Sequence, residues 1–244
     1  MEQQEETSGA ELGLCGRMVR VFTAPERTFE AVGRRTGWTD WFVPMLVVVL
    51  AAMIAAQLSM PAIQATQHEF MQERLKTMPP EQREAAVRMG TGSMGTVMTM
   101  ITIPVSSAIF LFGVAGVLLL VARYGLGGAV TYAQMLAVLG YSSLIGLVAL
   151  VVRTPLIMAK GTMMVFTGPG VFLPDTALQT FGGRFVAGLD LFVFWQLFVV
   201  AVGLATLTRS TTRRALIPLL ALWLLWLAGS AALGGLFMPS GQGG

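Results

Sequence analysis

Five long apolar stretches, 41–60, 96–122, 133–152, 186–207 and 215–237, leave this chain few folds to choose from. A helix needs about 20 predominantly apolar residues to cross the hydrocarbon core of a bilayer. None of the five contains Lys or Arg, and Asp190 is the one acidic residue inside them. In lipid the backbone must satisfy its own hydrogen bonds, which a helix does within a single segment. The expected fold class is therefore all-α, integral membrane, with five transmembrane helices. Composition agrees: 12% of the 244 residues are charged and 55% hydrophobic, where a soluble domain carries about 25% charged residues. Mean hydropathy is +0.70.

The connections divide the rest. Residues 1–20 are acidic, are expected to be flexible and lack the apolar core of a cleavable signal peptide, so the first span is expected to direct insertion. Residues 21–37 read as a cytoplasmic amphipathic helix. Thr23 would be its N-cap, with Pro25 near the start and Glu26 reaching back as a capping box. Phe29 and Val32 then share a side that would lie in the membrane interface; the alternative is a helix packed under the bundle. Trp38 and Trp41 stand where an aromatic belt would anchor the first span.

Residues 38–237 form the five-helix domain. Within the 61–94 connection, Pro80 and four nearby charges predict a short surface helix. Residues 155–173 are apolar enough for a re-entrant element, but Pro169-Gly170 interrupts them, so the count stays at five. Residues 238–244 read as a disordered tail.

Orientation follows the arginines. Arg17, Arg20, Arg27, Arg34 and Arg35 precede the first span and no Lys or Arg follows the last. Positive charge favours the cytoplasmic side, so the N-terminus is expected inside and the C-terminus outside, in a plasma membrane.

Few side chains offer chemistry. His68 is the sole histidine, and Gln72 stands where a helical zinc motif needs its second ligand. Cys15 is the sole cysteine, which excludes an intrachain disulfide and a thiolate metal cluster. The glycine-rich pieces lack the Lys-Ser/Thr of a phosphate loop. No catalytic residue, metal or cofactor is expected. A net charge of +3, scattered along the chain, is too small for a nucleic-acid footprint.

Asp190 stands out, because a carboxylate costs about 2.5–3.5 kcal/mol at mid-span on insertion scales. It reads either as a proton or ion ligand or interhelix contact, or as a helix cap or partner of Arg184 or Arg153. Gln196, Gln57, Gln134, Tyr132 and Tyr141 add polar groups that can join helices or line a path. Gly113, Gly116, Gly127, Gly128, Gly140 and Gly146 are expected at close helix approaches. Phe22, Pro25 and Phe29, with Arg209, Arg213 and Arg214 in the last interspan turn, are candidate contacts with the membrane surface or a partner.

The order of several short motifs is similar to that of a known family. Val21-Phe-Thr-Ala-Pro-Glu-Arg-Thr-Phe-Glu30 leads through Trp38 and Trp41 into the first span. Gly127-Gly128 and Thr131-Tyr132-Ala-Gln134 precede the third, which holds Tyr141. Leu189-Asp190-Leu-Phe192-Val-Phe-Trp195 opens the fourth. Together they resemble bacterial Yip-domain membrane proteins across residues 17–237. The resemblance implies a five-span fold, a cytoplasmic N-terminus, a far-side C-terminus and no enzyme activity. Eukaryotic relatives interact with Rab-type GTPases at their cytosolic side.

The expected function is a non-enzymatic membrane scaffold or adaptor of the Yip type, in membrane organisation or trafficking-like processes, with a membrane or cytoplasmic protein as partner. The alternative is a small transporter or channel component, with Asp190 in the pathway and a second span interrupted at Pro104. A homo-oligomer is compatible with either.

Overall fold

The computed structural model of the chain describes residues 13–65, 72 and 93–237, and every element among them is helical. His68, the surface helix expected at Pro80, residues 1–12 and the tail 238–244 lie outside the described residues.

Two short helices, α1 (Leu14–Arg20) and α2 (Pro25–Arg34), precede the first long one, α3 (Thr39–Leu58). Helix α4 (Ser93–Leu120) ends in a π turn at Val121–Gly125. Helices α5 (Tyr132–Ser143) and α6 (Ile145–Lys160) follow each other across a break at Leu144. After two 3-10 turns and the short α7 (Phe181–Ala187) come α8 (Leu191–Thr208) and α9 (Thr212–Phe237). Five helical segments are long and apolar enough to span a bilayer: Thr39–Leu58, Met100–Gly125, Tyr132–Lys160, Leu191–Thr208 and Thr212–Gly234. One span arises from each apolar stretch, as expected.

The span containing α5 is the most enclosed of the five. Helices α3, α4 and α8 pack around α5, while α9 packs on the outer side of α8. Met135 to Ser142 are buried without exception. Large apolar side chains on the outside, such as Ile54, Ile109 and Leu225, are exposed as a lipid-facing surface requires.

Chain direction defines two ends. Helices α1 and α2, the start of α3, the π turn, and the junction between α8 and α9 share one end, here the near end. The starts of α4 and α8 and the loop after α6 lie at the far end.

Four expectations need correction in their boundaries. The segment expected to be flexible up to residue 20 forms α1 from Leu14 onward. Thr23 does not cap α2: its N-cap is Ala24, and no side chain bonds the first turn. The third span does not end at 152, because α6 runs through Pro155 to Lys160 and stops at Gly161, whose φ is +65°. A left-handed glycine after a basic last turn is the stop signal here. Pro104 does not break the second span, since α4 continues through it.

Helix α2 exists, but its apolar side faces the bundle. Phe29 and Val32 are fully buried in the main core with Met135, Val138 and Leu204. Gly203 makes room for this: a Cβ there would stand 2.9 Å from Val138 Cγ1 and 3.1 Å from Phe29 Cε2. Burying a phenylalanine contributes about 1.5–3 kcal/mol relative to water, and here protein rather than lipid covers it.

Candidate functional site

The near end is organised by one carboxylate. Asp40, in the first turn of α3, is 3% exposed. Its Oδ1 accepts from Arg17 Nη1 at 2.5 Å and from Tyr141 OH at 2.7 Å, and its Oδ2 accepts from Gly37 N at 2.8 Å. Three helices distant in sequence, α1, α3 and α5, thus meet at one charged group. Thr28 of α2 adds a bond from its hydroxyl to Arg17 O at 3.3 Å. The meeting needs Gly140, because a Cβ at that position would lie 2.9 Å from Trp41 Cα.

A second carboxylate organises the far end. Asp190 is the N-cap of α8, its Oδ1 accepting from Phe192 N at 2.9 Å and Val193 N at 3.1 Å. Its Oδ2 accepts from Arg153 and from the Thr167 hydroxyl. Arg153 also donates to Thr167 Oγ1 at 3.0–3.1 Å, so α6, the following loop and α8 are joined. Of the two arginines considered as its partner, Arg153 takes the role. Arg184 instead donates to the carbonyls of Ala231 and Gln179, both at 2.8 Å. The fourth span begins at Leu191 rather than at 186, which puts Asp190 at the helix start and not one turn inside it.

The other candidates fall into place as follows. Tyr132 OH donates to Phe112 O at 2.8 Å, tying α5 to α4. Gln134 and Thr131 form a reciprocal capping box at the start of α5, with bonds of 2.9 and 3.3 Å. Trp195 meets Phe22 edge-to-face with ring centroids 6.3 Å apart, while Gln196 is half-buried one residue further along α8. Gln57 contacts Met100 at the far end. Gly140 and Gly128 stand at close approaches, Gly128 against Thr208, whereas a Cβ at Gly113, Gly116, Gly127 or Gly146 would touch nothing within 4 Å. For those four the expected close packing within the chain is absent.

Arg209 ends α8 as its C-cap with φ +53°, the one non-glycine with positive φ among the described residues. That conformation costs an L-residue roughly 1–2 kcal/mol, and a glycine would occupy it freely. Pro25 opens α2 and lines a cleft with Arg209. Arg213 and Arg214 stand exposed in the first turn of α9. Cations there oppose the helix dipole by about 0.3–1 kcal/mol each, so helix stability does not account for them.

Reading the residues alone missed Asp40 and Arg17, and also the Thr131 cap. The cap had a signal, Thr followed three residues later by Gln. Asp40 had a weaker one, a lone acid between Trp38 and Trp41, directly before the first span.

The five apolar helices and the N-terminal pair folded onto them fall almost wholly within the reach of one family model. That model, described as the Yip1 domain, covers residues 19–233. The chain belongs to the Yip1 domain family. No curated protein and no solved structure matches it. As a Yip1 domain, the chain is a multi-pass membrane protein, and the match begins within α1 and so includes α2.

Proposed function

We propose that this Yip1 domain is a non-enzymatic membrane scaffold or adaptor that presents its near end to a protein partner with an acidic surface. The observation that carries this reading is the group of exposed arginines there. Arg27 and Arg34 of α2 and Arg35 just after it are exposed. Arg209 at the α8–α9 junction shares clefts with Arg27 and Arg34, and exposed Arg213 and Arg214 follow in the first turn of α9. None of the six belongs to an ion pair among the described residues. Desolvating such a surface against acidic groups favours complementary partners and speeds their encounter.

The same arginines support a near end in the cytoplasm and a C-terminus outside, in a plasma membrane. Asp40 and its partners would hold α1 and α2 as a fixed platform rather than a loose arm. The transport alternative draws less support from this geometry, since Asp190 is occupied in capping α8 and pairing with Arg153, and the helix at Pro104 is unbroken.

Photo-crosslinkers placed at Arg35 and Arg213 in intact membranes test the reading. Discrete protein adducts are expected from both, and none from a probe at Phe172, which is 88% exposed on the loop after α6. Equal labelling at Phe172, or solute flux through the purified protein in sealed liposomes, would overturn it.

A further inference from the structure

Two adjoining clefts open at the near end, about 620 and 690 Å³ in volume, and both are lined by Glu30, Thr206 and Arg209. The first also has Arg34, and the second Glu26 and Arg27. None of these charged side chains enters an ion pair among the described residues, although both signs face the same space. The second cleft continues from these charges onto Phe198 and Val202 of α8. Phe198 is 49% exposed on the lipid-facing side, about three turns before the end of the span.

A ligand suited to this lining carries an apolar tail, an anion and a cation, with the anion between the other two. An acyl chain would lie on Phe198, a phosphate would meet Arg209, and a protonated primary amine would donate to Glu30 and Glu26. Arg209 gives independent support. It holds a left-handed conformation that glycine adopts freely, and it lines both clefts. Backbone strain of this kind gathers at ligand clamps.

We infer that the near-end clefts bind the head group of an aminophospholipid from the surrounding leaflet. The site shares Arg27, Arg34 and Arg209 with the surface proposed to meet a protein partner, and lipid retention by the purified chain is read without that partner. Phosphatidylethanolamine has the full set of groups. Phosphatidylcholine lacks the amine hydrogens, and phosphatidylglycerol lacks the cation.

The test is native mass spectrometry of the full chain, released from nanodiscs holding equal amounts of these three lipids. Phosphatidylethanolamine is expected to be retained over both others. Arg209→Gly relieves the backbone and keeps the fold, and is expected to lower that retention about tenfold, the loss of one hydrogen bond to a charged group. Glu30→Gln should erase the preference over phosphatidylcholine while leaving phospholipid retention in place. Phosphatidylglycerol retained as well as phosphatidylethanolamine would reduce the site to a basic surface and overturn the inference. So would an equal loss in Arg214→Gln, which lies outside the clefts, or retention indifferent to Arg209→Gly.

Discussion

Asp40 and Asp190 stand in the same position, at the start of a spanning helix beside an arginine, and do different work. At the near end the carboxylate is 5% and its arginine 19% exposed, and the bonds join residues 17, 40 and 141. At the far end the figures are 10% and 36%, and the bonds join residues 153, 167 and 190. Asp40 satisfies one backbone amide of its own segment and spends its other oxygen on distant helices. Asp190 satisfies two amides of the helix it opens and uses its other oxygen on the preceding connection. The first is a long-range fastening of α1 to the bundle; the second is a helix cap with a loop attached.

The largest expected effect follows from burial. Removing one partner of a buried pair costs about 3–5 kcal/mol, because the other charge is left unpaired. Asp40→Ala should destabilise by that amount in detergent and loosen the backbone of α1 and α2, so that trypsin cleaves at their already exposed arginines. Replacing the whole set, with Arg17→Met, Asp40→Leu and Tyr141→Phe together, should restore most of the stability, since no buried charge then remains. A single variant that melts like wild type, with Arg20 and Arg27 still protected from trypsin, would show that the carboxylate does not hold the hairpin.

Tyr141→Phe makes a finer cut through the same cluster. Tyr141 is fully buried, and its hydroxyl is one of three donors to Asp40. Arg17 and Gly37 remain in the variant, so the loss is expected near 1.5 kcal/mol, the low end for a bond to a charged group. A matched thermal melt with the trypsin digest separates the cases: a lower midpoint with α1 still protected is expected. Loss of protection equal to that of Asp40→Ala would make the tyrosine, not the ion pair, the principal tie.

Which parts were legible beforehand follows the same division between local and distant. The spans were legible because hydrocarbon thickness sets a length, and each stretch meets it without help from its neighbours. Asp190 was noticed because a carboxylate inside an apolar run conflicts with its surroundings. Asp40 was missed because a charge immediately before a span reads as a boundary residue. Its partners are Arg17 of α1, 23 positions earlier, and Tyr141 of α5, 101 positions later, and no local pattern records that. The amphipathic pattern around Phe29 and Val32 states that one side of α2 is apolar, not whether lipid or protein covers it. Pro104 misled in the opposite direction. Proline signals a helix boundary in water, but the neighbouring groups of a membrane bundle tolerate it inside a span.

The smallest expected effect belongs to the far end and is the most diagnostic of the contrast. Asp190→Ala removes an N-cap, a loss of typically about 1 kcal/mol, and leaves Arg153 without its carboxylate. Arg153 is 36% exposed and can turn toward water, so the added penalty is small and the total is expected at about 1–2 kcal/mol. The change should also stay local. Thr167 loses its acceptor, and the close passage of Gly168 against Leu189 loses the bond that fastens it. Hydrogen exchange should therefore rise from Thr162 through Phe192 while α1, α2 and the core of α5 keep their protection. If exchange instead rises at the near end, the two carboxylates are coupled through α8, and the division between a bundle fastening and a helix cap fails.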